Sequence, residues 1–483
     1  MAGIFGQFTP AAPEILLLTL LCVVLVVDLF VEDEKRTVTF WASLASLAIV
    51  AWSLLATAPD TRTIIFDGSY VSDALSQVLK LMAVGVVAVG FLYARDYLRQ
   101  NELMKGEYYL LGLFGLIGMM VMISANSLLT MYLGLETLSL SLYALVAFDR
   151  DSATSAESAM KYFVLGAIAS GCLLYGISWI YGSLGTLQFD QITAALNARP
   201  ANANDLPLWF GMAFMIVGIA FKFGAVPFHM WLPDVYQGAR SPVTLYIASA
   251  PKLAALALTL RILVDGLGSL HEVWQGMIMV LAVLSLLVGN IVAIAQSNIK
   301  RMLGYSAIAH VGFILIAVFT GSGEGFAAAL FYTLTYVVMA AAAFGMIILL
   351  SRQGFEAEAL SDFKGLNARS PWFALIMMFC MFGMAGVPPW VGFFAKLNVI
   401  AAVLEAGFPA LAVLMVLASV VGAYYYLRVV WYMYFDKAED RSVFQADVDT
   451  RVVLSLNGVA ILALGIVPGW LMALCVQVIA AVY

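Results

Sequence analysis

The sequence predicts an all-α integral membrane protein of about fourteen transmembrane helices. Three observations carry that prediction. Of 483 residues, 63% are apolar and 11% are charged, against about 25% charged in soluble domains. Fourteen apolar runs reach or approach the roughly 20 residues needed to cross a bilayer. None alternates in the ten-residue pattern of a membrane barrel strand, so every backbone polar group must bond within its own segment, as a helix. The runs are 12–31, 38–57, 70–94, 107–124, 127–148, 158–182, 208–231, 243–265, 274–295, 302–320, 326–350, 372–402, 409–434 and 452–480. They are numbered here as spans 1 to 14.

The first basic residue is Lys35, so no positive segment precedes span 1 and it reads as a retained helix, not a secretory leader. Orientation follows from the basic residues in alternate loops. With the N-terminus outside, the inside loops hold 15 Lys and Arg and the outside loops hold three: Arg62, Arg199 and Arg261. A missed or invented span in mid-chain would erase that asymmetry. Both termini are therefore expected outside. The longest hydrophilic loop, 183–207, has about 25 residues, too few for a catalytic domain. The net charge of −6 says little about partners, because it is divided between two compartments.

Spans 7 and 12 each contain a break. Span 7 carries "FGAVPFHMW" and span 12 carries "FGMAGVPPWVGFFAK". Proline removes a backbone bond and crowds the preceding turn. In lipid such a break persists only where protein or water satisfies the freed groups. The breaks lie five spans apart, an odd number, so their helices run in opposite directions. This predicts two inverted five-helix repeats, spans 4–8 and 9–13, with the functional site at the broken helices. The expected organisation is one membrane domain, 1–483. It divides into an N-terminal three-span unit (1–106), a first repeat (107–265), a second repeat (274–434) and a final span (452–480).

Ionisable residues sit within the apolar runs. Glu136 is central in span 5, Lys161 lies one turn inside span 6, and Lys222 is central in span 7. Lys252 is central in span 8, His310 in span 10, and Lys396 follows the break in span 12. His229 lies within the break of span 7. Each charged group at mid-helix costs roughly 2.5–3.5 kcal/mol on insertion scales, so a set of this size points to function. Lys161 and Arg428 lie near inner ends, where long side chains can snorkel. Lys80 is deep in span 3 with no partner evident. Burial eases proton loss from lysine and a nearby carboxylate opposes it; histidine relays protons near neutrality. The inventory suits proton transfer, not Na⁺ or Ca²⁺, which need clustered oxygens.

The four cysteines, Cys22, Cys172, Cys380 and Cys475, are scattered singly, which supports neither an iron–sulfur cluster nor structural zinc. Only three histidines are present, so a haem-bearing oxidoreductase would have at most one central axial pair. There is no nucleotide loop, HExxH or GxSxG motif.

Three stretches together resemble the antiporter-like membrane subunits of respiratory complex I: "FKFGAVPFHMWLPDVYQGARSPVT", "NIKRMLGYSAIAHVGF" and "GVPPWVGFFAKL". The likeness extends over nearly the whole chain. The N-type branch is the most similar. Lys396 departs from the M-type pattern, where a glutamate is expected, and the sequence does not continue into the long lateral helix of the L type. The resemblance implies an ion pair between Glu136 and Lys161, a central Lys222, a relay at Lys252 with His229 beside the break, and a terminal Lys396. His310 is added on position alone. Separating Glu136 from Lys161 would then release Lys222 to pass its proton toward Lys252 and Lys396. The resemblance further implies a subunit of a proton-pumping NADH:quinone oxidoreductase in a bacterial inner membrane, with both termini periplasmic. It would hold no cofactor itself; flavin, iron–sulfur clusters and quinone would lie in partner subunits. The partners would be neighbouring antiporter-like and small membrane subunits and the lipid bilayer, with no nucleic acid. A subunit of a multi-subunit Na⁺/H⁺ antiporter shares these motifs and is the alternative; a stand-alone metabolite transporter is more remote.

Overall fold

A computed structural model describes residues 8–32, 36–200, 205–438 and 447–483. Lys35 and Arg441, two of the basic loop residues, lie outside these segments. Among the described residues, thirteen helices are long and apolar enough to cross a membrane. The remaining run, span 12, is divided into Pro371–Ala385 and Val391–Glu405, neither of which spans alone. The count of fourteen crossings therefore stands, with span 12 assembled from two halves.

The two ends of the bundle differ in charge. The terminal end carries the start of span 1 and the last residues of the chain. The basic end carries the loops rich in Lys and Arg. Spans 8, 10 and 11 form the centre, each 94% buried over its most apolar stretch, whereas spans 1 and 14 are 28% buried there. This gradient follows from composition: the exposed faces of the outer helices carry Leu, Val, Phe and Trp, such as Phe30, Trp52 and Val420, which lipid solvates as readily as protein does.

Several helix boundaries follow local chemistry. Span 3 begins at Ala74, not at 70, because Asp73 caps it by accepting from the Ser76 N–H at 2.9 Å. Residues 70–72 instead pair with 63–65 in a short antiparallel hairpin at the terminal end. Span 6 is longer than its apolar core, Ala153–Leu184, with Ser152 as its cap and Gly185 ending it at φ 72°. An amphipathic helix, Phe189–Asn197, lies across the terminal end and buries Phe189, Ile192 and Leu196. The sequence predicts a loop over 183–207, because a nine-residue helix is too short to register as a membrane element.

Span 8 is also interrupted, at Ser249, between Ser241–Ala248 and Ala250–Leu260, and its last turn is a π turn over Arg261–Gly266. Arg261, assigned above to an outside loop, is instead fully buried there. It bonds both Asp73 oxygens at 2.7 and 2.8 Å and Asp265 at 2.9 Å. Two carboxylates within reach offset the cost of burying the guanidinium. Lys80 likewise has partners: Glu14 at 2.5 Å and the Tyr70 hydroxyl at 2.9 Å. Glu14 is in the first turn of span 1, so this contact ties span 1 to span 3.

Candidate functional site: two lysine-bearing helix breaks

The two breaks are built alike. The first half of span 7, Leu206–Phe223, ends at Gly224 with φ 76°. The first half of span 12 ends at Gly386 with φ 83°. In each, the N–H one residue beyond the glycine reaches back five residues: Ala225 to Ala220 at 2.8 Å, and Val387 to Phe382 at 3.0 Å. This is the six-to-one bond of a Schellman cap, and it needs a residue able to turn left-handed. A proline follows three positions after each glycine, Pro227 and Pro389, and both prolyl bonds are cis. The chain then resumes as helix, at Trp231–Gly238 and at Val391–Glu405.

Each cap leaves a carbonyl at the end of its half-helix, and each is met by a lysine. Lys252 Nζ donates to the Phe223 carbonyl at 2.6 Å. Lys396 Nζ donates to the Ala385 carbonyl at 2.8 Å. A cation at a helix C-terminus also meets the negative end of the helix dipole. At the first break the Ser285 hydroxyl accepts from the Val226 N–H at 2.9 Å, and Trp231 Nε1 donates to the Phe221 carbonyl at 3.0 Å. The freed backbone is thus satisfied by protein groups, among them a lysine from span 8.

Lys222 lies in the last turn before the first break, 9% exposed, and donates to Ser139 Oγ at 3.0 Å. Ser139 is one turn beyond Glu136 on span 5, on the same helix face. Glu136 accepts a short hydrogen bond from Ser170 of span 6, whose oxygen also bonds the Tyr132 hydroxyl. Ser139, Ser170 and Lys222 line one small cavity with 10 Å³ open to water, about enough for a single molecule. Glu136 and Lys222 therefore belong to one polar cluster through two serines. Lys252 adjoins it, since it binds the carbonyl of the residue after Lys222.

The implied Glu136–Lys161 ion pair is not formed. Lys161 bonds Glu157 at 2.9 Å and Asp234 at 3.0 Å, with its side chain 45% exposed. Ser170, which meets Glu136, is nine residues along the same helix, about 13 Å at 1.5 Å per residue. Lys161 instead joins a basic-end network in which Arg301 also bonds Asp234, at 2.6 Å. Asp234 is in the second half of span 7, and nothing in its local sequence marks it.

The second cluster surrounds His310 and Lys396. His310 is 4% exposed. Its Nδ1 lies 2.7 Å from the Tyr332 hydroxyl and its Nε2 3.0 Å from the Tyr426 hydroxyl, and Tyr426 also shares a short bond with Ser306. Lys396 and His310 line a common cavity with Asn290, Ser419, Tyr425 and Tyr426, again with 10 Å³ open to water. His229 stands apart. It is half-buried at the first break, faces Tyr305 with ring centroids 6.4 Å apart, and its Nδ1 has no hydrogen-bond partner.

The structure thus gathers Glu136, Lys222 and Lys252 at one break and His310 and Lys396 at the other. It places Lys161 at the basic end and His229 on the rim of the first break. The hydroxyls of Ser139, Ser170, Tyr332 and Tyr426 were missed by sequence reading. Their residue types are common in membrane helices and only their tertiary neighbours distinguish them. For metals, the carboxylates of Asp96, Asp447 and Asp449 approach within 4.8 Å of one another. Arg99 bonds Asp96 and Asp447 and Arg95 bonds Asp449, so these carboxylates already have cationic partners.

Residues 125–422, which contain both breaks, Glu136, Lys222, Lys252, His310 and Lys396, match the family model described as NADH:quinone oxidoreductase/Mrp antiporter, transmembrane. The chain belongs to this family. Its relatives include NADH-quinone oxidoreductase subunit N of Thioalkalivibrio sulfidiphilus, 58% identical over 97% of each chain. The subunit N of Thiobacillus denitrificans is 52% identical over 98% of each. Among solved structures, a chain of respiratory complex I from Thermus thermophilus with bound aureothin superposes with a TM-score of 0.82. It is 31% identical, and the match covers 95% of this chain and 98% of that one. A chain of the Mrp complex from Dietzia is 20% identical with a TM-score of 0.84 over 98% and 97%, a likeness of fold alone.

Proposed function

We propose that the chain is the subunit-N component of a bacterial NADH:quinone oxidoreductase and carries protons across the membrane through its buried lysines. The family and the near full-length relatives place it in the membrane arm of a proton-pumping complex whose other subunits are its partners. The observation that carries the mechanism is the pairing of Lys252 and Lys396 with the carbonyls freed by the two breaks. Among the described residues, neither lysine bonds a carboxylate, and neither does Lys222. Each ammonium is held by neutral acceptors, so no ion pair fixes its charge, and each adjoins a polar cluster.

In this reading Glu136 acts on Lys222 through the Ser139–Ser170 cavity, replacing the pair with Lys161 expected from sequence. Movement of charge at Glu136 shifts the proton on Lys222. Lys252, bonded to the carbonyl of the residue after Lys222, receives it, and His310 with Tyr332 and Tyr426 conveys protons to Lys396. Lys161, with Asp234 and Arg301, forms a charged rim at the basic end, where protons are taken up, and His229 lies beside the first break. The repeats, 107–265 and 274–434, would supply one break each; the matching glycine caps and prolines support that division. The excess of basic residues supports a cytoplasmic basic end and periplasmic termini. Flavin, iron–sulfur clusters and quinone are assigned to partner subunits.

The test is Lys222→Ala in the whole complex. Assembly is expected to persist while proton pumping and coupled quinone reduction fall sharply; normal pumping would remove Lys222 from the path. The Na⁺/H⁺ antiporter alternative is separated by a census of the purified complex, where flavin and iron–sulfur subunits are expected to co-purify.

A further inference from the structure

Spans 8 and 13 occupy corresponding places, each following a broken helix. Span 8 has Pro242 at its start and Arg261 at its far end; span 13 has Pro409 and Arg428. Both intervals are 19 residues. Because the two helices run in opposite directions, the arginines sit at opposite ends of the bundle. Arg261 is offset by two carboxylates. Arg428 bonds no carboxylate among the described residues. It donates to the carbonyls of Ile294 at 2.9 Å and Gln296 at 2.7 Å, at the C-terminal end of span 9.

The place Arg428 occupies is specific. A polar vestibule of 590 Å³ opens at the basic end, and Arg428 lines it together with Gln296, Asn298, Glu358, Lys364 and Tyr432. One turn deeper, Tyr425 donates to Asn290 at 3.1 Å, and both line the cavity that holds His310 and Lys396. Asn290 is four residues before Ile294, about 6 Å along the helix axis. The guanidinium therefore stands between a broad polar vestibule and the second lysine cluster. Glu358, the carboxylate lining that vestibule, is already bonded to Lys300 at 2.7 Å.

We propose that Arg428 is an electrostatic plug. Its permanent positive charge bars hydronium from passing between the basic-end vestibule and the His310–Lys396 cluster, so that protons reach this cluster only from the first break. A fixed cation in a narrow polar path excludes protons and cations by charge while leaving water in place. The inference rests on the proton-carrying reading of the lysines. It assigns Arg428 no part in transfer itself.

The experiment uses the whole complex in liposomes. Passive proton conductance is read from the decay of an imposed pH gradient, and coupling from protons moved per NADH oxidised. Arg428→Gln is expected to raise conductance about tenfold or more, the scale on which local charge changes ion concentration in a cleft, and to lower the coupling ratio, with electron transfer retained. Arg428→Lys keeps the charge and should behave as wild type. Unchanged conductance in Arg428→Gln, or an Arg428→Lys complex as leaky as Arg428→Gln, overturns the plug. Should Arg428→Gln fail to assemble, Gln296→Glu keeps the arginine and sets a carboxylate against it in the vestibule. That complex must leak, and a tight one refutes the proposal. Lys222→Ala run in parallel separates the two claims. Normal pumping there defeats the lysine path, whereas a tight Arg428→Gln complex with normal pumping defeats only the plug.

Discussion

Lys161 and Glu136 show how much depends on which partner a charged side chain finds. Lys161 makes two partly exposed ion pairs at the basic end, and solvent screening leaves such pairs little to contribute. Glu136 accepts from Ser170, which lines the cavity beside Lys222. Lys161→Ala is therefore expected to leave most pumping intact, while Glu136→Gln should depress it strongly. The comparison is proton uptake per NADH in inverted membrane vesicles. A larger loss from Lys161→Ala than from Glu136→Gln would restore the pair that the sequence suggested. The residue types at these positions were legible without the structure, because ionisable groups stand out in apolar runs. Their pairing was not, since helices five and six offer several ways for a carboxylate and an ammonium to approach, and Ser170 gave no signal of its own.

The broken helices are legible as elements because glycine and proline have local consequences. What cannot be read from them is which side chain answers the freed carbonyl. Lys396 reaches back across its own break, whereas at the first break the lysine comes from the next span. A Cβ on Gly386 would lie 2.8 Å from Lys396 Cδ, at a φ of 83°. Gly386→Ala should destabilise the fold by about 1–2 kcal/mol from the left-handed backbone alone and lower pumping by displacing Lys396. Thermal melting and proton uptake measure the two effects separately.

The loop after span 11 is an element with a pH response. Glu356 bonds Arg240 at 3.1 Å and Ser241 at 3.0 Å. Burial, and then the neighbouring Glu358, still push its carboxyl up to about 8 from 4.5. A carboxyl raised on folding adds stability that is complete below about 4.5 and is lost as pH rises through about 8. Melting temperature should therefore fall as pH rises from about 4.5 to about 8 and level off above it, and Glu356→Gln should flatten that slope. An equally steep slope in the variant would place the titrating group elsewhere.

Across the whole molecule, buried ion pairs hold peripheral helices to the centre. The contact between Lys80 and Glu14, 3% and 9% exposed, links span 1 to span 3, and span 3 packs on spans 8 and 11. Removing one partner leaves a buried charge unmatched, at a cost of about 3–5 kcal/mol. Lys80→Met should loosen the N-terminal three-span unit, seen as faster proteolysis of the segment between spans 2 and 3. The double variant Glu14→Gln, Lys80→Met should recover much of the loss. Equal damage in both variants would show that the charge pair is not the cause. In the same way Arg261 joins spans 3 and 8 through Asp73, so the centre and the periphery share a charged seam at the terminal end.

Number of crossings, helical class, charge asymmetry and the positions of the two breaks were determined by the sequence alone. Each arises from a local property: apolar length, basic residues at loop positions, and the backbone limits of glycine and proline. The partners of the buried charges were decided only by tertiary structure. Lys80, Arg261, Lys161 and the three break lysines each met a group from a distant part of the chain, or from across a break. An apolar stretch has to become a helix in lipid whatever surrounds it, but a buried charge acquires its function from the neighbours that packing brings within about 3 Å.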